Sequence, residues 1–314
     1  MSILRIGLIG AGRWGRRYIA TLAEMPGVCL ARLASGNPES LALVPSGCVV
    51  SNCWQDVAQD GSLDGLVIAT PPALHAEMAE MAMAAGIPVL IEKPMTISLA
   101  EARQLVLSSQ QLKCLSVVGH THLFSPAFRR LKEVGKTLGP LLGVRSFAGN
   151  KGPWRPDTPM LWDWAPHDLA MCLDLVGRTP ESISVRRTQV AHFQGQKGES
   201  CDIRMNFPDS VVADVRVSNI DENKSRYFEA RYRDGNLIYN DLAVNKLVFV
   251  PSGSGGEQQP VCIDVAMPLN NLVLEFCTAI RADIKEHPSL RLGLEVVELL
   301  HNCDGMLAMQ QNPS

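Results

Sequence analysis

Three short stretches place together residue types that can do chemistry. Glu92-Lys93-Pro94 holds an ammonium between a carboxylate and a ring-locked residue. Burial or the neighbouring charge can tune such a lysine, which can then hydrogen-bond a reacting oxygen; an exposed loop lysine paired to Glu92 is the plainer reading. In Trp162-Asp163-Trp164-Ala165-Pro166-His167-Asp168, residues 163 and 167 stand four apart, on one side of a helix. Asp163 reads as that helix's N-cap and Pro166 as a first-turn residue. A carboxylate beside an imidazole can orient the ring and relay a proton, and a capping aspartate near a satisfied helix histidine fits the spacing equally well. The third stretch, Gly10-Ala11-Gly12-Arg13-Trp14-Gly15, follows an apolar run and precedes helix-compatible sequence.

In that setting each glycine has a physical reason. Gly10 allows a tight turn, Gly12 lets the backbone approach a pyrophosphate, and Gly15 lets helix and strand pack closely, with the helix amino end facing the phosphates. The same fingerprint wants an acid about 20 residues on to hold the ribose hydroxyls. Here that place reads Ser35-Gly36-Asn37. A carboxylate that would repel a 2'-phosphate is missing and Arg13 is a candidate partner for one, so NADP(H) is favoured, with NAD(H) as the alternative. The missing acid also weakens an S-adenosylmethionine reading of the loop.

Further candidates lie outside these stretches. His120 and His122, two apart on one strand face, are candidate substrate or metal ligands. Without a third ligand nearby in sequence, no metal site is expected. Trp154, Trp162 and Trp164 could stack on sugar rings, and packing at a domain interface accounts for at least one of them. His192, His287 and His301 belong to no constellation.

The elements that must position these residues can be read from periodicity. Before residue 120, short apolar runs at Leu4 to Ile9, Val28 to Ala34, Leu66 to Ala69, Val89 to Ile91 and Leu115 to Val118 alternate with helical segments, as in a doubly wound parallel sheet. A helix through Leu74, Met78, Met81 and Ala85 stops at Gly86-Ile87-Pro88. Beyond residue 120, Val211, Ala213, Val215 and Val217 alternate with polar residues, the period of a half-buried, usually antiparallel strand. Asp234-Gly235 marks a hairpin, and residues 251–260 read as an exposed loop. Leu269, Leu272, Val273, Phe276 and Ile280, then Leu292, Val296, Leu299, Cys303 and Leu307, form the faces of two cover helices. The expected fold class is α/β: a Rossmann domain over 1–120, then an α+β domain with a mostly antiparallel open sheet over 121–314.

Composition agrees. A chain of 314 residues, 46% hydrophobic and 19% charged, can bury two cores. A net charge of -3 argues against nucleic acid or anionic membrane as partner. Nine scattered cysteines without a CxxC read as reduced thiols, and the chain shows no signal peptide or membrane span, so a cytoplasmic protein is expected.

Taken together, the glycine loop, Ala69-Thr70-Pro71-Pro72-Ala73-Leu74-His75, Glu92-Lys93-Pro94 and the Asp163/His167 pair resemble the glucose-fructose oxidoreductase and inositol dehydrogenase family, Gfo/Idh/MocA. The match in order and spacing runs from residue 3 to about 177, and the helices after 268 are similar. The resemblance implies reversible hydride transfer between a nicotinamide and a secondary hydroxyl or ketone of a sugar or sugar nucleotide. In it, Lys93 binds the reacting hydroxyl and His167 exchanges its proton with Asp163 assisting. Thr70, Pro71, His75 and Glu92, with Trp14 in the glycine loop, line the cofactor, and a homodimer or homotetramer forms through the C-terminal sheet. Ser40 stands where the NADP-binding relatives carry a lysine. Gly119-His120-Thr121-His122-Leu123-Phe124-Ser125-Pro126 and the segment 161–168 resemble most the branch acting on UDP-N-acetylated sugars at the 3-hydroxyl, although His122 replaces that branch's bulky apolar residue. An imine or carbonyl reductase on the same fold, and a non-catalytic NAD(P)-sensing regulator, are the rival readings.

Overall fold

The computed structural model describes residues 2–152, 154–155, 157–193, 195–253 and 255–311. The chain divides into two compact units, 1–121 with 269–297, and 122–268 with 298–314.

The first unit is built on six parallel strands: β1 (Leu4–Ile9), β2 (Val28–Ala34), β3 (Val49–Ser51), β4 (Gly65–Ile68), β5 (Val89–Glu92) and β6 (Ser116–Gly119), in the order β3-β2-β1-β4-β5-β6. Helices α1 (Arg13–Glu24), α2 (Trp54–Ala58), α3 (His75–Ala84) and α4 (Leu99–Leu112) connect them. Ile6, Leu8, Leu66, Val67, Ile68, Leu90 and Ile91 are wholly buried, because a parallel sheet is covered on both faces and its strands must be apolar throughout. The strand order reverses between β1 and β4, which opens a crevice at their carboxyl ends. The short strand β3 was not anticipated; its three residues are too few for an apolar period to stand out.

Expectation and structure differ in α3. The buried residues are His75, Ala76, Met78, Ala79, Ala82 and Met83, whereas Leu74 lies exposed in a preceding turn. The helix is rotated from the 74/78/81/85 stripe because the polar ring of His75, not Leu74, points inward.

The second unit carries eight strands, β7 (Leu141–Lys151), β8 (Ser182–Phe193), β9 (Gln196–Asn206), β10 (Val212–Ser218), β11 (Ile220–Tyr232), β12 (Gly235–Asn240), β13 (Leu247–Pro251) and β14 (Gln259–Pro260), ordered β14-β13-β12-β11-β7-β10-β9-β8. All pairs are antiparallel except β7 with β10. Helices α5 (Pro126–Gly135) and α6 (Met160–Val176) cover the sheet. Ala213, Val215 and Val217 are buried while Arg216 is exposed, the alternation read from sequence. The opposite face is polar: Arg186, Asp202, Arg204, Asp214 and Arg216 line a groove of about 580 Å³ with Phe147 and Ile203. Asp234 stands in the turn between β11 and β12, and the segment from Pro251 to Pro260 joins β13 to β14, with Ser254 outside the described residues.

Two terminal helices follow. In α7 (Pro268–Arg281), Phe276 fills the space over Gly65, where a Cβ would come within 3.1 Å of its ring. In α8 (Pro288–Gln311), the residues through 297 belong to the first unit and those after it to the second.

Candidate functional site

In the first unit the site begins at the glycine loop. Gly10 has φ +98°, a left-handed conformation, and a Cβ there would lie 2.7 Å from the Ala69 carbonyl oxygen. A Cβ on Gly15 would strike the Gly10 carbonyl oxygen. Gly12 is different: a Cβ there would meet nothing within 4 Å. The space beside it is therefore open, at the amino end of a helix with no side-chain cap and no acid in its first turn. That end carries unpaired amides and a positive partial charge, which suits a pyrophosphate. Arg13 is exposed and Trp14 half-buried, with the Arg17 guanidinium 4.8 Å from the Trp14 ring centroid.

At the end of β2, Ser35 Oγ lies 2.8 Å from Ser40 Oγ and accepts from the Asn37 amide at 3.2 Å. Asn37 in turn accepts from the Glu39 amide at 3.0 Å, which caps a short 3-10 helix at Pro38–Leu43. Gly36 and Asn37 are exposed, and Ser40 is buried under the loop.

The edge formed by β4 and β5 is held by His75. Its ring is 0% exposed, with Nδ1 3.0 Å from the Pro94 carbonyl oxygen and Nε2 2.9 Å from that of Thr70. Burial holds its pKa below the usual imidazole value, with the bonds to the Thr70, Pro94 and Met95 backbone pulling the other way. A neutral ring has one N–H, so it can donate to only one of the two flanking carbonyls. The structure thus corrects one expectation. With no surface to offer, His75 acts on the edge by fixing the Thr70-Pro71 turn and the residue after Lys93, instead of lining it directly. Pro71 is exposed and Thr70 half-buried.

Glu92 is similarly engaged. It accepts the Tyr18 hydroxyl at 2.7 Å and the Lys93 amide at 3.0 Å. Tyr18, on the buried side of α1, is held well above its ordinary pKa by burial and then by Glu92, so it remains a donor. Sequence reading missed Tyr18; the available signal was a phenol on the apolar face of the helix that the glycine loop opens. Lys93 itself is half-buried beside this network. His120, just past β6, is buried, and burial together with the Lys93 charge pushes its pKa down to about 3. Its ring is neutral at ordinary pH.

The second unit gathers the other candidates around α6. The helix starts at Met160 with Pro159 as N-cap, so Asp163 lies in its first turn and Pro166 inside it. That corrects the expected cap. The start moves one turn earlier because Met160, Leu161 and Trp162 are buried and extend the helix's apolar face. Asp163 remains one turn before His167, and the Arg155 Nε lies 3.7 Å from Asp163 Oδ2. His167 is buried against His122, ring centroids 4.9 Å apart and nearly perpendicular. His122 belongs to a 3-10 turn at Thr121–Phe124, not to a strand, so the shared face expected for 120 and 122 does not exist. Its Nδ1 lies 2.9 Å from the Tyr239 hydroxyl. Tyr239, buried on β12, could not have been found from spacing, because it is 117 residues away in sequence.

The three tryptophans separate. Trp162 is buried with its indole N–H on Asp304, a packing role that leaves no ring face for a sugar. Trp164 lies under the Arg226 guanidinium, 4.9 Å from its centroid, while Arg226 also stands 3.8 Å from the buried Asp168. Trp154 is half-buried and tilted against Phe193. Trp154, Trp164 and Asp163 border one cavity of about 180 Å³. His287, read as unengaged, is in fact held between Ser289 and Glu275 in the first unit. All nine cysteines are free thiols, and among the described residues no helix is long and apolar enough to cross a membrane.

Comparison with known proteins agrees with this architecture. Residues 4–120 match the model of an oxidoreductase family with an NAD-binding Rossmann fold, GFO_IDH_MocA. The rhizopine catabolism protein MocA of Rhizobium meliloti is 31% identical over 280 residues, 82% of this chain and 88% of that protein. The UDP-N-acetylglucosamine 3-dehydrogenase of Acidithiobacillus ferrooxidans is 28% identical over 251 residues, 78% of this chain and 77% of that enzyme. Among solved structures, a candidate oxidoreductase from Magnetospirillum magnetotacticum MS-1 superposes with a TM-score of 0.90 at 40% identity, covering 96% of this chain and all (100%) of that one.

Proposed function

Because the chain belongs to the Gfo/Idh/MocA oxidoreductase family, we propose that it interconverts a secondary hydroxyl and a ketone on a sugar or sugar nucleotide, with NADP(H) as the favoured coenzyme. One observation carries the reading. The open space at Gly12 and the half-buried Lys93 lie on the same carboxyl edge of one parallel sheet, where doubly wound folds take their ligands.

The residues present fit a dinucleotide: Gly12 leaves room, the uncapped end of α1 suits the phosphates, and Ser35, Gly36 and Asn37 offer no carboxylate to the ribose. When bound, the nicotinamide supplies the hydride acceptor or donor. The chain's own work is to hold the substrate and move its proton. Lys93 donates a hydrogen bond to the reacting oxygen and stabilises the negative charge that grows there. His167 takes the hydroxyl proton in oxidation and returns it in reduction, with Asp163 favouring the protonated ring. His122, with Tyr239 behind it, limits how the His167 ring can turn. The UDP-N-acetyl-sugar class is the substrate reading that the relatives and the 119–126 and 161–168 segments support. The polar open face of the second sheet is the surface we assign to a dimer or tetramer, and free thiols fit a reducing, cytoplasmic location.

Titration of cofactor-stripped protein with NADPH and NADH, followed by nicotinamide fluorescence, tests the reading. Saturable binding with NADPH the tighter ligand is expected; folded protein that binds neither overturns it.

A further inference from the structure

The cavity at the amino end of α6 holds features that the proton-transfer roles of Asp163 and His167 do not use. Thr158, Pro159 and Met160 form one wall, and Trp154, Trp164 and Lys197 contribute others. The Trp154 Nε1, Trp164 Nε1 and Thr158 Oγ1 donors are buried there, with no hydrogen-bond partner among the described residues. Trp164 is 7% exposed and Thr158 3%. A buried donor left without an acceptor is costly, so three around one cavity point to a ligand that brings acceptors.

Two independent features give that ligand a sign. No side chain caps the 17-residue α6, so its first amides and the positive end of its dipole open toward this wall. Both carboxylates of the lining, Asp163 and Glu199, are also already met by cations. Lys197 Nζ lies 3.3 Å, and Arg187 Nε 2.6 Å, from the same oxygen of Glu199, while Arg155 stands 3.7 Å from Asp163. In the lining itself Arg155 and Lys197 face Asp163 and Glu199, and Arg187, outside it, adds a third positive charge beside Glu199. A fourth, Lys151, sits 5.1 Å over the Phe193 ring that packs on Trp154. A cationic ligand would meet the indole and hydroxyl donors and two carboxylates already paired with cations. At about 180 Å³ the space is smaller than the ~300 Å³ at which whole-ligand pockets begin, so it takes one group of a larger molecule.

We propose that this cavity binds an oxyanion, the carboxylate or phosphate of an acidic sugar substrate, through Thr158, the two indole N–H groups, Lys197 and the end of α6. The proposal rests on the dehydrogenase reading only in making that molecule the substrate: Asp163, in the cavity wall, ties the subsite to the proton-transfer helix.

The test uses the full chain without nucleotide, at constant ionic strength. Tryptophan fluorescence, with two of the five indoles in the cavity wall, is followed during titration with D-glucuronate, D-glucose 6-phosphate and D-glucose. At least one acid should saturate with a Kd tenfold or more below that of glucose. Response to glucuronate alone assigns a carboxylate, and response to the phosphate alone assigns a phosphate ester. Lys197→Met should weaken the acid about tenfold and Thr158→Val about threefold, while Thr158→Ser, which keeps the hydroxyl, should restore binding. The proposal falls if acids and glucose respond alike, if no acid binds, or if an acid binds equally well to folded Lys197→Met and Thr158→Val proteins. An NADPH titration of the same preparation separates the two readings. NADPH binding without an acid response removes the subsite alone, and the converse removes the dehydrogenase reading alone.

Discussion

Two helix amino ends, α1 in the first unit and α6 in the second, lack side-chain caps, and they are built in opposite ways. At α1 the surroundings are backbone: Gly10 turns, Gly15 lies against the Gly10 carbonyl, and Gly12 leaves a void. At α6 the surroundings are side chains drawn from the 154–158 loop, the β8–β9 hairpin and the helix itself. A backbone cradle is specified by what is missing, the Cβ atoms, and follows from a local run of six residues. A side-chain cradle needs partners that only folding brings near. The two should therefore fail differently when altered.

The largest effects are expected where a side chain does chemistry. Lys93→Met should lower turnover about 10³-fold while NADPH still binds, since one charge-stabilising donor contributes on that scale; an unchanged kcat would remove Lys93 from the reaction. His167→Ala should slow turnover by about 10²-fold or more and alter the pH profile of kcat/KM. Backbone positions should fail in binding or folding instead. Gly15→Ala forces a methyl into the Gly10 carbonyl and should cost about 3 kcal/mol of stability, read as a shift in the urea midpoint. Gly12→Ala meets no protein atom, so it should leave that midpoint in place and weaken NADPH binding tenfold or more. Equal midpoints for the two variants would contradict the distinction.

A smaller, pH-dependent effect should come from His120. Its folded pKa, near 3, lies below the unfolded value near 6.5, so the unfolded chain binds the proton more readily. Stability is then fully present above pH 6.5 and is lost as pH falls toward 3, at about 1.4 kcal/mol per pH unit from this ring. His120→Gln should flatten the dependence between pH 6.5 and 4.5; an unchanged slope would show that the ring is not held neutral. The smallest effect is at the end of β2, where Ser35→Asp should move the NADPH to NADH preference about tenfold toward NADH, measured as a ratio of Kd values.

Much of the first unit could be read from the chain. β1 and β2 stand where their apolar runs ended, and the Asp-Gly turn at 234–235 closes its hairpin. The errors share a cause. The face of α3 differs from its apolar stripe because the His75 ring is held inward between the Thr70 carbonyl of the preceding turn and the Pro94 carbonyl 19 residues on. The start of α6 was misjudged because burial of Met160 to Trp162, not capping chemistry, sets it. His122 was placed on a strand because a two-residue spacing carries no information about the turn it occupies.

By itself the sequence determined what local physics fixes: the alternation of strands and helices before residue 120, the glycine run at 10–15, the absence of an acid at Ser35, and the one-turn spacing of Asp163 and His167. These depend on steric rules and periodicities that act over a few residues. Tertiary structure decided which polar groups are buried and what they meet: Tyr18 on Glu92, Tyr239 on His122, Lys197 and Trp154 beside the start of α6. Apart from Trp154, which lies just before α6, these partners stand tens to more than a hundred positions apart. Their identity follows from strand register and packing in the finished fold, which no local pattern encodes.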